Sequence, residues 1–273
     1  MYDTVRGLQF QVRVRGPRDG DPVLLLHGFP QHAGMWDRVA PILHEAGLRT
    51  IAPDQRGYSP GARPAELAAY RTSECAADAV ALLDAVGAER AHVIGHDWGA
   101  VVGWRLAAHH ADRVRTFTAI SVPHPASIVA ALRTDTEQQQ RSAYIKLFRE
   151  EGKAERLLLE HGAARLRAMF GDLPPDRVDD YVRPLLEPGA LTAALKWYRA
   201  LGTDGATGPA LRPTTYIWGD QDIAIGKAAA HGCMDWVNAD YEFVALPGAS
   251  HWLPDDEPDE VARLALARFA TAD

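Results

Sequence analysis

Over its first 120 positions this chain alternates short apolar runs with longer stretches of helical periodicity. That alternation predicts a mostly parallel sheet with helices on both faces. Residues 8–14 alternate apolar and polar, as a half-buried edge strand or hairpin would. Residues 23–26 are apolar throughout and predict a buried central strand. A third, short strand is expected at 50–53. Residues 72–86 carry apolar positions at helical spacing, with Gly87 as the stop. Residues 91–94 predict another buried strand. Residues 98–108 are apolar almost all round, as befits a helix covered by other elements, and 114–120 predict the next strand.

The pattern then changes. From 125 to 202 no segment reads as a strand, and Gln- and Arg-rich helices carry apolar stripes such as Tyr144, Leu147 and Phe148. Strand-like runs return at 214–218 and 241–246. A last helix is expected after Pro258, with Asp259 and Glu260 at its positive end. The expectation is one α/β core, 1–124 and 206–273, interrupted by an all-helical insert, 125–205, of roughly 75–80 residues.

Composition narrows the partners. With 47% hydrophobic residues in 273, there is material for a full core. A net charge of -7 without a basic cluster argues against nucleic acid. The run Val23-Leu24-Leu25-Leu26 is far too short to span a bilayer, so no membrane partner is expected. Residues 1–10 lack a basic region followed by an apolar one, so no signal peptide is expected. Cys75 and Cys233 sit in no metal or redox spacing, which fits a reducing cytoplasm. The oligomeric expectation stays open between monomer and homodimer.

The segment with the most chemistry is Val93-Ile94-Gly95-His96-Asp97-Trp98-Gly99-Ala100, between a predicted strand and a predicted helix. Small-X-nucleophile-X-small is the pattern of a tight strand-to-helix turn that lifts a nucleophile above the sheet. Gly95 and Gly99 are needed because that turn presses the two backbones together. Here the nucleophile slot holds Asp97. A carboxylate attacking a saturated carbon makes an alkyl ester, which water can open at its carbonyl carbon. A serine would leave an ether that the site could not hydrolyse. Aspartate therefore points to displacement at an sp³ carbon followed by ester hydrolysis. The bland alternative is that Asp97 merely caps the following helix.

His27-Gly28-Phe29-Pro30 follows the central strand directly. A backbone N–H from that loop and one from the residue after the nucleophile can hold an oxyanion, which assigns Phe29 and Trp98 as main-chain donors. A cis Phe29-Pro30 bond is open to this turn, although cis is the minority state for any such pair. The order nucleophile, acid, histidine then places Asp222 or its rival Asp220 after the strand at 214–218, and His251 after the strand at 241–246. His251 would activate water, and Asp222 would orient its ring, with Asp220 as the rival acid. His27, His96 and His124 read as structural residues near the site.

These residues resemble the soluble-type epoxide hydrolases of the α/β-hydrolase superfamily. The likeness runs through His27-Gly28-Phe29-Pro30, Asp54-Gln55-Arg56-Gly57-Tyr58-Ser59, Gly95 to Gly99, Val122-Pro123-His124-Pro125, Asp222, and Gly248 to Trp252. It implies an α/β-hydrolase fold with a helical cap. It also implies two cap tyrosines that bind the epoxide oxygen, and Tyr144 and Tyr198 stand where it needs them. Ring opening makes an alkoxide, and a phenol of pKa about 10 can protonate it. The substrate implied is a small apolar epoxide, and neither a cofactor nor a metal is required. Trp36, Phe148, Met169 and Trp252 are candidates to line the pocket.

The nearest alternative is a haloalkane or haloacid dehalogenase using the same aspartate. Phe29 stands where the haloalkane enzymes carry asparagine, and Trp98 stands where the fluoroacetate enzymes carry arginine. A non-catalytic ligand receptor on this fold is the reading from another class, and an intact triad argues against it. Asp97 in the elbow disfavours a serine esterase.

Overall fold

The structure is a computed structural model that describes residues 2–272, so Met1 and Asp273, at the outer ends of the expected core segments, lie outside it. Among the described residues eight strands form one sheet in the order β1-β2-β4-β3-β5-β6-β7-β8. The strands are β1 (Tyr2–Val5), β2 (Leu8–Arg15), β3 (Pro22–Leu26), β4 (Arg49–Pro53), β5 (Ala91–His96), β6 (Val114–Ile120), β7 (Thr214–Gly219) and β8 (Tyr241–Leu246). The alternating segment expected at 8–14 is the second strand of a hairpin, turned on Arg6 and Gly7, both at positive φ. Pairing is antiparallel at β1–β2 and β2–β4 and parallel from β4 to β8.

The helices before the insert are α1 (Ala40–Glu45), α2 (Thr72–Ala85) and α3 (Trp98–His109). Gly87, at φ +74, follows α2 as the expected stop. Between β6 and β7 come α4 (Pro125–Thr134), α5 (Thr136–Arg141), α6 (Tyr144–Phe148), α7 (Lys153–Ala168), α8 (Pro175–Val182) and α9 (Ala190–Arg199). Among the described residues this stretch holds no named strand. The chain closes with α10 (Lys227–His231), α11 (Leu253–Asp256) and α12 (Pro258–Phe269). Helices α2 and α3 pack together, as do α1 and α12, with α3 against β3, β5 and β6 and α12 against β6 and β7.

Two features position the site. The chain runs from β3 out to β4 and then crosses back to β5 on the other side of β3, which makes the β3/β5 border a topological switch point. Leu26 of β3 pairs with Gly95 of β5, so the loops leaving these two strands emerge side by side. The carboxyl ends of β5, β6, β7 and β8 then follow in spatial order, and four loop residues meet above them.

Candidate active site

Asp97 occupies the turn between β5 and α3 with φ +52 and ψ -120, a conformation that few non-glycine residues adopt. The two flanking glycines make the turn possible. A Cβ on Gly95 would lie 2.3 Å from the Gly99 carbonyl oxygen, and one on Gly99 would lie 2.0 Å from that of Leu26. Asp97 stands at the N-cap position of α3, yet its side chain makes no capping bond. Oδ1 instead accepts the Phe29 N–H at 2.8 Å. The capping alternative therefore does not describe this carboxylate.

The loop after β3 is shaped around that contact. The Phe29–Pro30 bond is cis. His27 braces the loop: one ring nitrogen accepts the Gln55 N–H at 2.9 Å and the other lies 3.0 Å from the Gly28 carbonyl. The Phe29 N–H donates to the Asp97 carboxylate, and the Trp98 N–H also favours its charged form. Burial pushes the Asp97 carboxyl above the usual aspartate range, and the nearby imidazole and these two N–H groups only partly offset it.

Asp222 follows β7 and is fully buried, whereas Asp220 is exposed and accepts from Gln221 and the Gly248 N–H. Both Asp222 oxygens lie 3.0 Å from Nδ1 of His251, so Asp222 is the acid in contact with the imidazole. The Ala224 and Ile225 N–H groups donate to its Oδ1 at 2.7 and 2.9 Å, and Arg141 of α5 donates to its main-chain carbonyl. Burial works to raise the Asp222 pKa, but His251 and these donors outweigh it and hold the carboxyl below the usual range. In return Asp222 lifts the pKa of His251 above its ordinary value against the opposing effect of burial. The other ring nitrogen, Nε2, sits 3.8 Å from Asp97 Oδ2.

Tyr144 and Tyr198 come from α6 and α9 of the helical segment. Their rings meet edge-on at 6.0 Å. Tyr198 also packs edge-on against the rings of Phe29 at 5.4 Å and Trp98 at 5.1 Å. Burial, with the negative charge of Asp97, pushes the Tyr144 phenol well above its ordinary pKa. Burial, then the charges of Tyr144 and Asp97, do the same to Tyr198. Both hydroxyls therefore stay protonated and available to donate.

Of the pocket candidates, Phe148 touches Phe29, Tyr144 and Tyr198 at ring distances of 5.3, 5.1 and 5.0 Å. Trp252 stands edge-on to His251 at 4.7 Å. Met169 shares with His251, Trp252 and Leu173 a cleft of about 540 Å³. Trp36 is buried in the core, its indole N–H without a protein partner. His96 holds the His251 carbonyl at 2.9 Å, and His124 caps α4 through the Ala126 N–H. Sequence reasoning missed Ser121, whose hydroxyl reaches both Asp222 and His251. Its only signal was a serine between the strand at 114–120 and Val122-Pro123-His124-Pro125. Among the described residues no group of His, Cys, Asp or Glu is arranged to hold a metal ion, and no helix is long and apolar enough to cross a membrane.

The alpha/beta hydrolase fold family matches residues 21–258. Epoxide hydrolase A of Mycobacterium tuberculosis is 33% identical, over 95% of this chain and 94% of its own length. An AB hydrolase superfamily protein of Bacillus subtilis, YfhM, is 34% identical over 97% and 96%. Among solved structures, epoxide hydrolase A from Mycobacterium thermoresistibile superposes with a TM-score of 0.88 at 28% identity, covering 100% of this chain and 98% of that one. The Bacillus megaterium epoxide hydrolase in complex with an inhibitor gives 0.90 at 25% identity, covering 99% and 100%.

Proposed function

Since this chain belongs to the alpha/beta hydrolase fold family, we propose that it hydrolyses epoxides to vicinal diols through an ester on Asp97. One observation carries the reading. The carboxylate has one oxygen in a main-chain donor pocket and the other 3.8 Å from an imidazole backed by a buried acid, beneath two protonated phenols.

The cycle follows from that arrangement. Residues 1–124 and 206–273 form the core, residues 125–205 form the cap, and a small apolar epoxide binds between them. Tyr144 and Tyr198 donate hydrogen bonds to its oxygen. Asp97 Oδ2 attacks one ring carbon, the C–O bond breaks, and a phenol proton goes to the departing oxygen. His251 Nε2 takes a proton from water, whose oxygen bonds to the ester carbon. The carbonyl electron pair moves onto Oδ1, where the Phe29 and Trp98 N–H groups hold it. Collapse breaks the bond between the carboxyl carbon and Oδ2, so Oδ2 leaves with the diol, its place on Asp97 is taken by the water oxygen, and the proton on His251 goes to the leaving alkoxide. The acid proton left on Asp97 restores the phenol. Phe148, Met169 and Trp252 contribute apolar walls, while Trp36 supports the loop from the core. The free, buried cysteines suit a reducing cytoplasm as the place of action.

Two measurements test this. A panel of styrene-type and aliphatic epoxides, bromo- and chloroalkanes and fluoroacetate is expected to give diols and little halide. Halide release with inert epoxides would move the chain to dehalogenation. His251→Gln is expected to accumulate a covalent adduct on Asp97 with the mass of the epoxide, and an adduct mapping elsewhere removes Asp97 as nucleophile.

A further inference from the structure

Ser121 directly follows β6 at φ +68, a left-handed conformation that a serine keeps only where its surroundings impose it. Here they do. The Ser121 N–H donates to the Ile217 carbonyl at 2.8 Å, and the buried Tyr216 hydroxyl donates to the Ser121 carbonyl at 2.7 Å. The strained backbone aims a fully buried hydroxyl at the triad. Its Oγ lies 2.6 Å from Asp222 Oδ2 and 2.8 Å from His251 Nδ1.

A hydroxyl has one proton and two lone pairs, and an ionised carboxylate only accepts. The Ser121 proton therefore goes to Asp222, and its oxygen lone pairs face Nδ1–H of His251. Three acceptors, Oδ1 and Oδ2 at 3.0 Å and Oγ at 2.8 Å, surround that one N–H. This fixes the ring proton on Nδ1 and leaves the Nε2 lone pair free on the side of Asp97, 3.8 Å from Oδ2.

We propose that Ser121 is a positioning residue for the second half-reaction: its hydroxyl locks the tautomer and orientation of His251 for water activation. It takes no part in the alkylation of Asp97. The inference rests on the epoxide-hydrolysis reading, in which water gives its proton to Nε2 as its oxygen bonds to the Asp97 ester carbon. Ser121 itself touches neither water nor ester.

The experiment mixes styrene oxide with wild type, Ser121→Ala and Ser121→Gly, quenches at intervals, and reads the ester adduct by intact-protein mass. Both variants are expected to form the adduct within about twofold of the wild-type rate and to lose it about tenfold or more slowly, since only charge-assisted bonds to the base are removed. Glycine accepts positive φ without strain, so Ser121→Gly is expected to melt no lower than wild type while showing the same slow decay. Adduct decay at the wild-type rate in both variants overturns the proposal, as does formation slowed in step with decay. His251→Gln run alongside separates the two failures. If it accumulates no adduct on Asp97, the nucleophile assignment itself falls. If it does, and Ser121→Ala decays normally, Ser121 alone is misassigned.

Discussion

Two buried aspartates in one site are driven in opposite directions by their neighbours. Asp222 has its charge supported by several donors, whereas Asp97 has the Phe29 N–H on one oxygen and His251 Nε2 3.8 Å from the other. That difference suits one to be a permanent anion and the other to be a nucleophile. The closeness of the Asp97 pocket is set by Gly28: a Cβ there would lie 2.3 Å from Asp97 Oδ1 and 2.4 Å from its Cβ. Gly28→Ala is therefore expected to fold but to push the carboxylate out of line. Adduct formation with styrene oxide should drop by about a hundredfold or more, as a displacement near 1 Å does elsewhere. A wild-type rate of adduct formation would show that the loop can yield. At this scale the sequence was most informative where chemistry and sterics coincide. Gly95, Asp97, Gly99 and His251 stand out because few other roles use that spacing. Asp222 was preferred with Asp220 kept as its rival, since two residues after the same strand differ only in which way the turn carries them. Ser121 gave no signal beyond its place after a strand end, because a serine's worth here comes from a φ angle and two distant partners.

The site exists because consecutive strand ends present their loops in one row. β3 supplies Phe29, β5 Asp97, β6 Ser121, β7 Asp222 and β8 His251, and the register of the parallel ladders keeps those ends level. The helical segment adds the phenols and must be held down to do so. Its α8 is tied to the core by a buried carboxylate. Asp255 accepts from Arg177 Nε at 2.7 Å, from the Tyr181 hydroxyl at 2.8 Å and from Gln31 Nε2 at 2.7 Å. Removing that charge leaves the Arg177 guanidinium without its carboxylate. Asp255→Ala is therefore expected to cost about 3 kcal/mol, read from chemical denaturation, because an ion left unpaired in a buried site is expensive. Loss below about 1 kcal/mol would mean that water replaces the carboxylate. The strands from β2 to β8 and helices α2 and α3 could be placed from periodicity to within a residue or two, whereas β1 and the bounds of the helices at 125–205 could not. Nor was the interruption of α7 at Glu160, His161, Gly162 and Ala163 read from the sequence.

For the molecule as a whole, acid sensitivity is written into buried histidines. Burial lowers His27 to about 4, burial aided by nearby Arg115 lowers His92 to about 4, and burial together with His251 lowers His96 to about 3. Their unfolded value is 6.5, so below that pH the unfolded chain binds protons that the folded chain refuses. Folded pKa values depressed in this way make stability fall as pH drops from 6.5 towards 4, by about 1.4 kcal/mol per pH unit for each such histidine. The melting temperature is expected to decline by several degrees per pH unit across that window. A flat profile between pH 6.5 and 4.5 would show that these rings take up protons without unfolding. The sequence alone determined the α/β architecture, the helical interruption and the place of Asp97 at a tight strand-to-helix turn, because hydrophobic period and short-range sterics are local properties of the chain. Only the tertiary structure decided which acid serves His251, that Phe29 rather than a helix cap holds Asp97, and that Ser121 and Asp255 join elements far apart in sequence. Those choices depend on where strand ends meet in space, and no local pattern encodes that.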